Sequence, residues 1–107
     1  MPNDLSESEA QRLIAAFLNP ADRSKATHGL ASHGGNAVAV LRSIFDGTAK
    51  NQFGVSYSSL GMPIDCALVV ISLLGPVAAP LEEFVCQQLR VGHPYAEDAL
   101  KALKRGR

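Results

Sequence analysis

Apolar and polar positions repeat with a helical period over most of the chain, and Gly or Pro stands wherever that period breaks. Ser6-Glu7-Ser8-Glu9 has the form of a capping box, in which Ser6 accepts from the Glu9 amide and Glu9 reaches back to the Ser6 amide. A first helix is therefore expected over residues 6–18, with Ala10, Leu13, Ile14 and Phe17 on one face. Asn19-Pro20 ends it and opens a second helix, with Pro20 at the first position and Asp22 in the first turn. That helix runs to about His33. Its stripe of Ala26, Gly29 and Leu30, with His33 on the same side, is thin and predicts packing on a single neighbour. Gly34-Gly35 closes it, and a third helix follows from Asn36 to Asp46, carrying Ala37, Val38, Val40, Leu41, Ile44 and Phe45.

The most apolar stretch is central. Cys66 to Leu74 is apolar at every position but Ser72, which predicts a helix covered on most sides. Gly75 supplies a left-handed position after it, and Pro76 fits the first turn of a new helix, so a sharp corner is expected. At about 100° per residue, the second helix places Val77, Ala78, Leu81, Phe84, Val85 and Leu89 on a buried side. Ala79, Glu82, Glu83, Cys86, Gln87 and Arg90 fall on a presented side. Residues 63–91 thus read as two helices folded back on each other. Gly92-His93-Pro94 turns the chain into a last helix over 94–105, with Ala96, Ala99, Leu100 and Leu103 buried, and Lys104 to Arg107 forms a frayed basic end. Residues 47–61 show no helical period, only an alternation of Phe53, Val55 and Tyr57. Loops of about fifteen residues are uncommon and tend to be functional or mobile.

Sliding the chain on itself by forty residues places Leu30 on Val70, Ser32 on Ser72, Gly35 on Gly75, Ala37 on Val77, Ala39 on Ala79 and Leu41 on Leu81. Residues 20–46 and 63–91 then read as two copies of one helix pair, and the last helix as the start of a third copy whose partner is missing. The expected fold is all-α: a single domain over 1–107, built as a short right-handed α-solenoid of about five to six helices.

Ala67-Leu68, Leu74-Gly75-Pro76, Ala79-Pro80-Leu81 and Leu89, followed one repeat later by Ala99-Leu100, resemble the HEAT-like repeats, in the variety found in bilin lyases and many small bacterial proteins. The likeness covers about Asp22 to Leu103, with 47–61 as an insertion. Pro76 and Asn36 stand where classical HEAT repeats carry charged residues at the hairpin corner. The resemblance implies a scaffold that binds other proteins along the second helix of each pair. Carried onto this chain, that surface is Glu82, Glu83, Gln87 and Arg90, beside Arg42 and Asp46; the alternative is a merely solvated face.

Composition narrows the function classes. Hydrophobic residues at 47% and charged residues at 19% indicate a folded chain. Ten basic and ten acidic residues cancel, leaving no overall field that seeks polyanions. Two cysteines do not make a disulfide scaffold, and a reducing, cytoplasmic setting is expected. The N-terminus lacks a signal peptide's basic flank and apolar run, and Gly75-Pro76 interrupts the apolar stretch short of the ~20 residues that cross a bilayer.

Candidate chemistry is sparse. His28 and His33, five apart, diverge by about 140° on a helix and cannot clasp one ion, and His93 before Pro94 reads as a corner-capping residue. Cys66 reads as a packing residue. Cys86 has Glu82 one turn away, a neighbour that raises a thiol pKa. Glu82 and Glu83 point about 100° apart and do not face each other as an acid-base pair. Gln88, inside the apolar arc, is expected to hydrogen-bond a backbone group. Gly34-Gly35 lacks the rest of a phosphate loop. Lys101, Lys104, Arg105 and Arg107 either touch nucleic acid or complement the helix dipole. Phe53 and Tyr57 either fill a partner's pocket or fold back as a lid over the central helix.

The expected function is a non-enzymatic protein-binding module with a dedicated protein partner, of which an inhibitory or immunity-type protein is one version. No metal or cofactor is expected. The rivals are an enzyme accessory of the bilin-lyase kind and nucleic-acid binding through the basic end, and pairing with a second copy through the unpaired last helix is also open.

Overall fold

The structure, a computed structural model, describes residues 6–51 and 53–105. Among these lie six α-helices: α1 (Glu7–Ala16), α2 (Arg23–Ala31), α3 (Asn36–Phe45), α4 (Met62–Leu74), α5 (Glu82–Arg90) and α6 (Ala96–Leu103). Two 3-10 segments, Tyr57–Ser59 and Gly75–Leu81, complete an all-α stack. The only extended pairing among the described residues is one isolated antiparallel bridge, Lys50 to Ser56.

The capping box forms by half. The Glu9 amide donates to Ser6 Oγ at 3.1 Å, but the Glu9 carboxylate turns to Arg12, whose Nε donates to it at 3.0 Å. Helix α2 starts at Arg23, not Pro20, because residues 20–22 form a turn in which the Asn19 side chain accepts from the Ala21 amide at 2.9 Å. It also packs on two neighbours, α1 and α4, where one was expected. Small residues explain the first contact: a Cβ on Gly29 would sit 3.5 Å from Leu13. Thr27 opens the second, since its hydroxyl donates to Ser24 O at 2.7 Å and can be buried without penalty.

Helix α4 is the centre. Ala67, Leu68, Val70 and Ile71 are fully buried, and the helix touches α2, α3 and α6. It ends at Gly75 with φ +68°, a region an L side chain enters only with strain. The continuous helix expected after this corner does not form. Pro80 would clash with the carbonyl of Pro76 four residues back in an α-helix, and residues 75–81 wind as 3-10 instead. With about three residues per turn, the buried set becomes Gly75, Ala78 and Leu81, and Val77 rotates out to 51% exposed. Leu89, also expected on the buried side, stands 39% exposed in the last turn of α5. By apolar length alone Met62–Arg90 would suit a bilayer, a test that a buried core helix also passes; half of its most apolar window is buried in the stack.

Helices α1, α2, α4 and α6 pack in one row, each against the next. The second layer holds α3, which lies on α4, and the 3-10 segment with α5, which lies on α6. Within the expected pairs, α2 packs chiefly on α1 and α4, the 3-10 segment packs on α4 and α6, and α5 packs chiefly on α6. The last helix does not lack a cover either. Ala96, Ala99, Ala102 and Leu103 are buried where α4, α5 and the 3-10 segment pack on α6, and Leu100 is half-buried.

In the second layer α3 runs in the same direction as residues 77–84. Val77 approaches Gly35 at one end, and the rings of Phe45 and Phe84 stack at 5.6 Å and 16° at the other. Ten α-helical steps rise about 15 Å, whereas four 3-10 steps at about 2.0 Å and three α-helical steps at about 1.5 Å carry residues 77–84 about 12–13 Å, so the longer rise of the 3-10 turns brings the shorter segment near the length of its neighbour.

Candidate functional site

The insertion 47–61 is ordered by its own polar groups. Asp46 Oδ1 accepts from the Thr48 amide at 2.9 Å and from the Thr48 hydroxyl at 2.7 Å, turning the chain out of α3. The Ala49 amide donates to Ser43 O, and the Tyr57 amide donates to Ala49 O at 3.0 Å, closing the base of a small hairpin-like turn. At its tip Asn51 Oδ1 accepts from the amides of Phe53 at 2.8 Å and Val55 at 3.0 Å. Gly54, at φ +79°, donates to Asn51 O. Ser56 Oγ adds a bond to Gly47 O at 2.9 Å.

This turn separates the two aromatic candidates. Phe53 stands at the tip, 80% exposed, with Val55 and Leu60 also exposed on the insertion. Tyr57 is only 3% exposed, at the root beside buried Ala49, and burial pushes its phenol above the ordinary value. As a surface contact Tyr57 is corrected: it is part of the core, because the alternation that puts Phe53 outside carries Tyr57 onto the 3-10 turn that packs against α3 and α4.

The second candidate surface lies across α3 and α5, which the Phe45–Phe84 stack holds side by side. Arg42, Glu83, Gln87 and Arg90 are exposed and Glu82 is half-buried. Asp46 has structural work: its bonds to Thr48 hold its carboxyl below the usual range. Gln88 is half-buried rather than enclosed, and no buried side-chain polar atom among the described residues is left unpaired.

A third group was not read from the sequence. Asp65, in the first turn of α4, hydrogen-bonds His93 at the corner before α6. The Tyr95 amide donates to His93 Nδ1 at 3.1 Å, so Nε2 carries the proton and donates to Asp65 Oδ1. Both ring nitrogens are thus engaged, and neither is free to take a substrate proton. The corner-capping role expected of His93 is present, and its carboxylate partner lies in another element, twenty-eight residues away, where no spacing within one helix points to it. Asp65 also lines a cleft of ≈370 Å³ between α2 and α4, with Arg23, Thr27, His28, Met62, Val69 and Tyr95.

The remaining candidates lie apart. His28 Nδ1 donates to Ser24 O at 2.9 Å, whereas His33 lines a separate, wider groove between α1 and α2 with Glu9, Arg12 and Lys25. No cluster of three or more His, Cys, Asp or Glu suited to a metal occurs among the described residues. Cys66 is buried and its thiol is pushed up to about 11, mainly by burial; Cys86 is half-buried. Lys101 pairs with Glu97 at 3.3 Å along α6, while Lys104 and Arg105 follow the helix and Arg107 lies outside the described residues. No protein-family model matches the chain, and no characterised protein or solved structure matches it.

Proposed function

We propose that this chain is a non-enzymatic protein-binding module that engages a dedicated protein partner through the insertion 47–61, with Phe53 as its anchor. The observation that supports this reading is an aromatic ring 80% exposed on a turn whose backbone is held by Asn51, Gly54 and the Lys50–Ser56 bridge. An exposed aromatic on a rigid turn has little conformational freedom left to lose on binding, which favours affinity. Aromatic residues dominate the energetics of protein interfaces.

The HEAT-like resemblance supports the same class of function. The surface of Arg42, Glu83, Gln87 and Arg90 would form the polar rim around the anchor's contact or a second contact in its own right. Tyr57 takes no part except as the root that positions the turn. An inhibitory or immunity-type role is one concrete version of this reading.

The test is capture from native lysate by the tagged chain and by its Phe53→Ala variant, side by side. One stoichiometric protein retained by the first and lost by the second, with helicity unchanged, supports the reading. Equal retention by both removes the insertion as the contact.

A further inference from the structure

The cleft between α2 and α4 contains two opposite charges that form no ion pair with each other. On the α4 side, the backbone amide of Tyr95 orients His93, and His93 Nε2 holds Asp65 Oδ1. That leaves Oδ2 without a hydrogen-bond partner among the described residues, on a carboxylate that lines the cleft. On the α2 side, Arg23 Nε donates to Phe17 O at 2.7 Å, which fixes the guanidinium and leaves its two terminal nitrogens without partners among the described residues. Each charged group is therefore anchored on its far side by one protein hydrogen bond, as charged groups in built binding sites are. Met62, Val69 and the half-exposed Tyr95 line the same cleft. The cleft measures ≈370 Å³, at the small end of the ~300–1,000 Å³ range of ligand pockets.

We propose that this cleft binds a small amphoteric ligand of amino-acid or dipeptide size, its ammonium on Asp65, its carboxylate on Arg23 and its apolar side chain on Met62, Val69 and Tyr95. The chemistry follows from the charges. A purely cationic ligand would meet Arg23, and a purely anionic one Asp65; a ligand carrying both charges satisfies both. A guanidinium presents parallel N–H donors suited to a carboxylate, and an ammonium beside Tyr95 gains the attraction of the ring face. The proposal does not depend on the role given to Phe53, which does not line this cleft.

The experiment is a titration of the nitrogen-15-labelled chain with L-leucine, L-phenylalanine and L-leucyl-L-leucine, each to about 10 mM, a range that detects millimolar affinity. The expected result is saturable shifts at the amides of residues 23–28, 65–69 and 95. Saturation by any of the three supports the site, and the tightest of them gives the ligand's length. On the unmodified protein, acetylating the ligand's amine or amidating its carboxylate is expected to weaken binding about tenfold or more, and Asp65→Asn to do the same for the free ligand. Blocked ligands keep the test valid where Asp65→Asn disturbs the His93 bond. Absence of saturable shifts with all three ligands overturns the proposal, as do shifts confined to other elements or blocked ligands that bind as tightly as free ones.

Discussion

His93 hydrogen-bonds through Nε2 to the carboxylate of Asp65, twenty-eight residues earlier in the chain. The bond ties the start of α4 to the corner that launches α6, and α4 and α6 share one of the largest helix contacts in the stack. A part-buried hydrogen bond to a charged group contributes about 1.5–3 kcal/mol. Asp65→Ala and His93→Ala are each expected to lower unfolding free energy by that amount. In urea unfolding the double variant should cost about 1 kcal/mol less than the sum of the two. Strict additivity would mean the pair is not coupled.

Gly75 decides whether α4 can end where it does. Its φ of +68° is strained for any L side chain, and an added Cβ would also lie 3.7 Å from the carbonyl of Ala102 in α6. That distance is ordinary contact, so the expected loss comes from the backbone, about 1–2 kcal/mol for Gly75→Ala. Gly35, with no positive φ and only Val77 nearby at 4.0 Å, is the control: Gly35→Ala should stay within about 0.5 kcal/mol. Equal losses at the two sites in thermal or urea unfolding would remove the conformational explanation.

These two sites also mark how far the sequence could be read. Stretches governed by local chemistry were legible: Leu13 and Ile14 of α1 and Phe17 at its C-terminal cap are buried together, and Gly75 takes the positive φ its place between Leu74 and Pro76 requires. The 3-10 winding over 75–81 departs from the single helical period that its apolar spacing suggests, and its cause, Pro80 four residues after Pro76, is local. Which helix lies on which was not legible. The internal repeat indicates that two segments share a plan, not whether α3 prefers α2 or α4, and that choice depends on side chains far apart in sequence. The Asp65–His93 bond escaped for the same reason. In the insertion, Phe53 and Tyr57 looked equivalent because their separation in the structure depends on the bonds made by Asn51 and Asp46.

The thiols offer a separate check of burial. Cys66 is 3% exposed, and burial raises its pKa from 9.0 to about 11, whereas Cys86 is half-buried. In native protein at about pH 8, where an unperturbed thiol is partly ionised, a thiol reagent is expected to modify Cys86 first and Cys66 only on unfolding. The same shift predicts a pH dependence. The unfolded chain releases the Cys66 proton near 9 and the folded chain near 11, so the folded state binds more protons between these values. Stability is then full below about pH 9 and falls as pH rises toward 11, by at most about 2.7 kcal/mol from this group. Cys66→Ala should flatten that part of the curve; an unchanged slope would assign it to other groups.

Phe53 and Tyr57 give the sharpest contrast, because two aromatic residues four apart are predicted to fail in opposite assays. Truncating Phe53, which stands 80% exposed, removes almost no buried area, and Phe53→Ala should shift stability by less than about 0.5 kcal/mol. Tyr57 fills the root of the insertion against α3 and α4, and Tyr57→Ala should cost about 3 kcal/mol or more, as buried aromatic truncations do. Tyr57→Phe keeps the ring and its buried area and should recover most of that loss. In capture assays the order reverses: Phe53→Ala loses the partner while folded, and Tyr57→Phe retains it. A Phe53→Ala variant that loses stability instead would place this ring in the core and end the case for the insertion as an anchor.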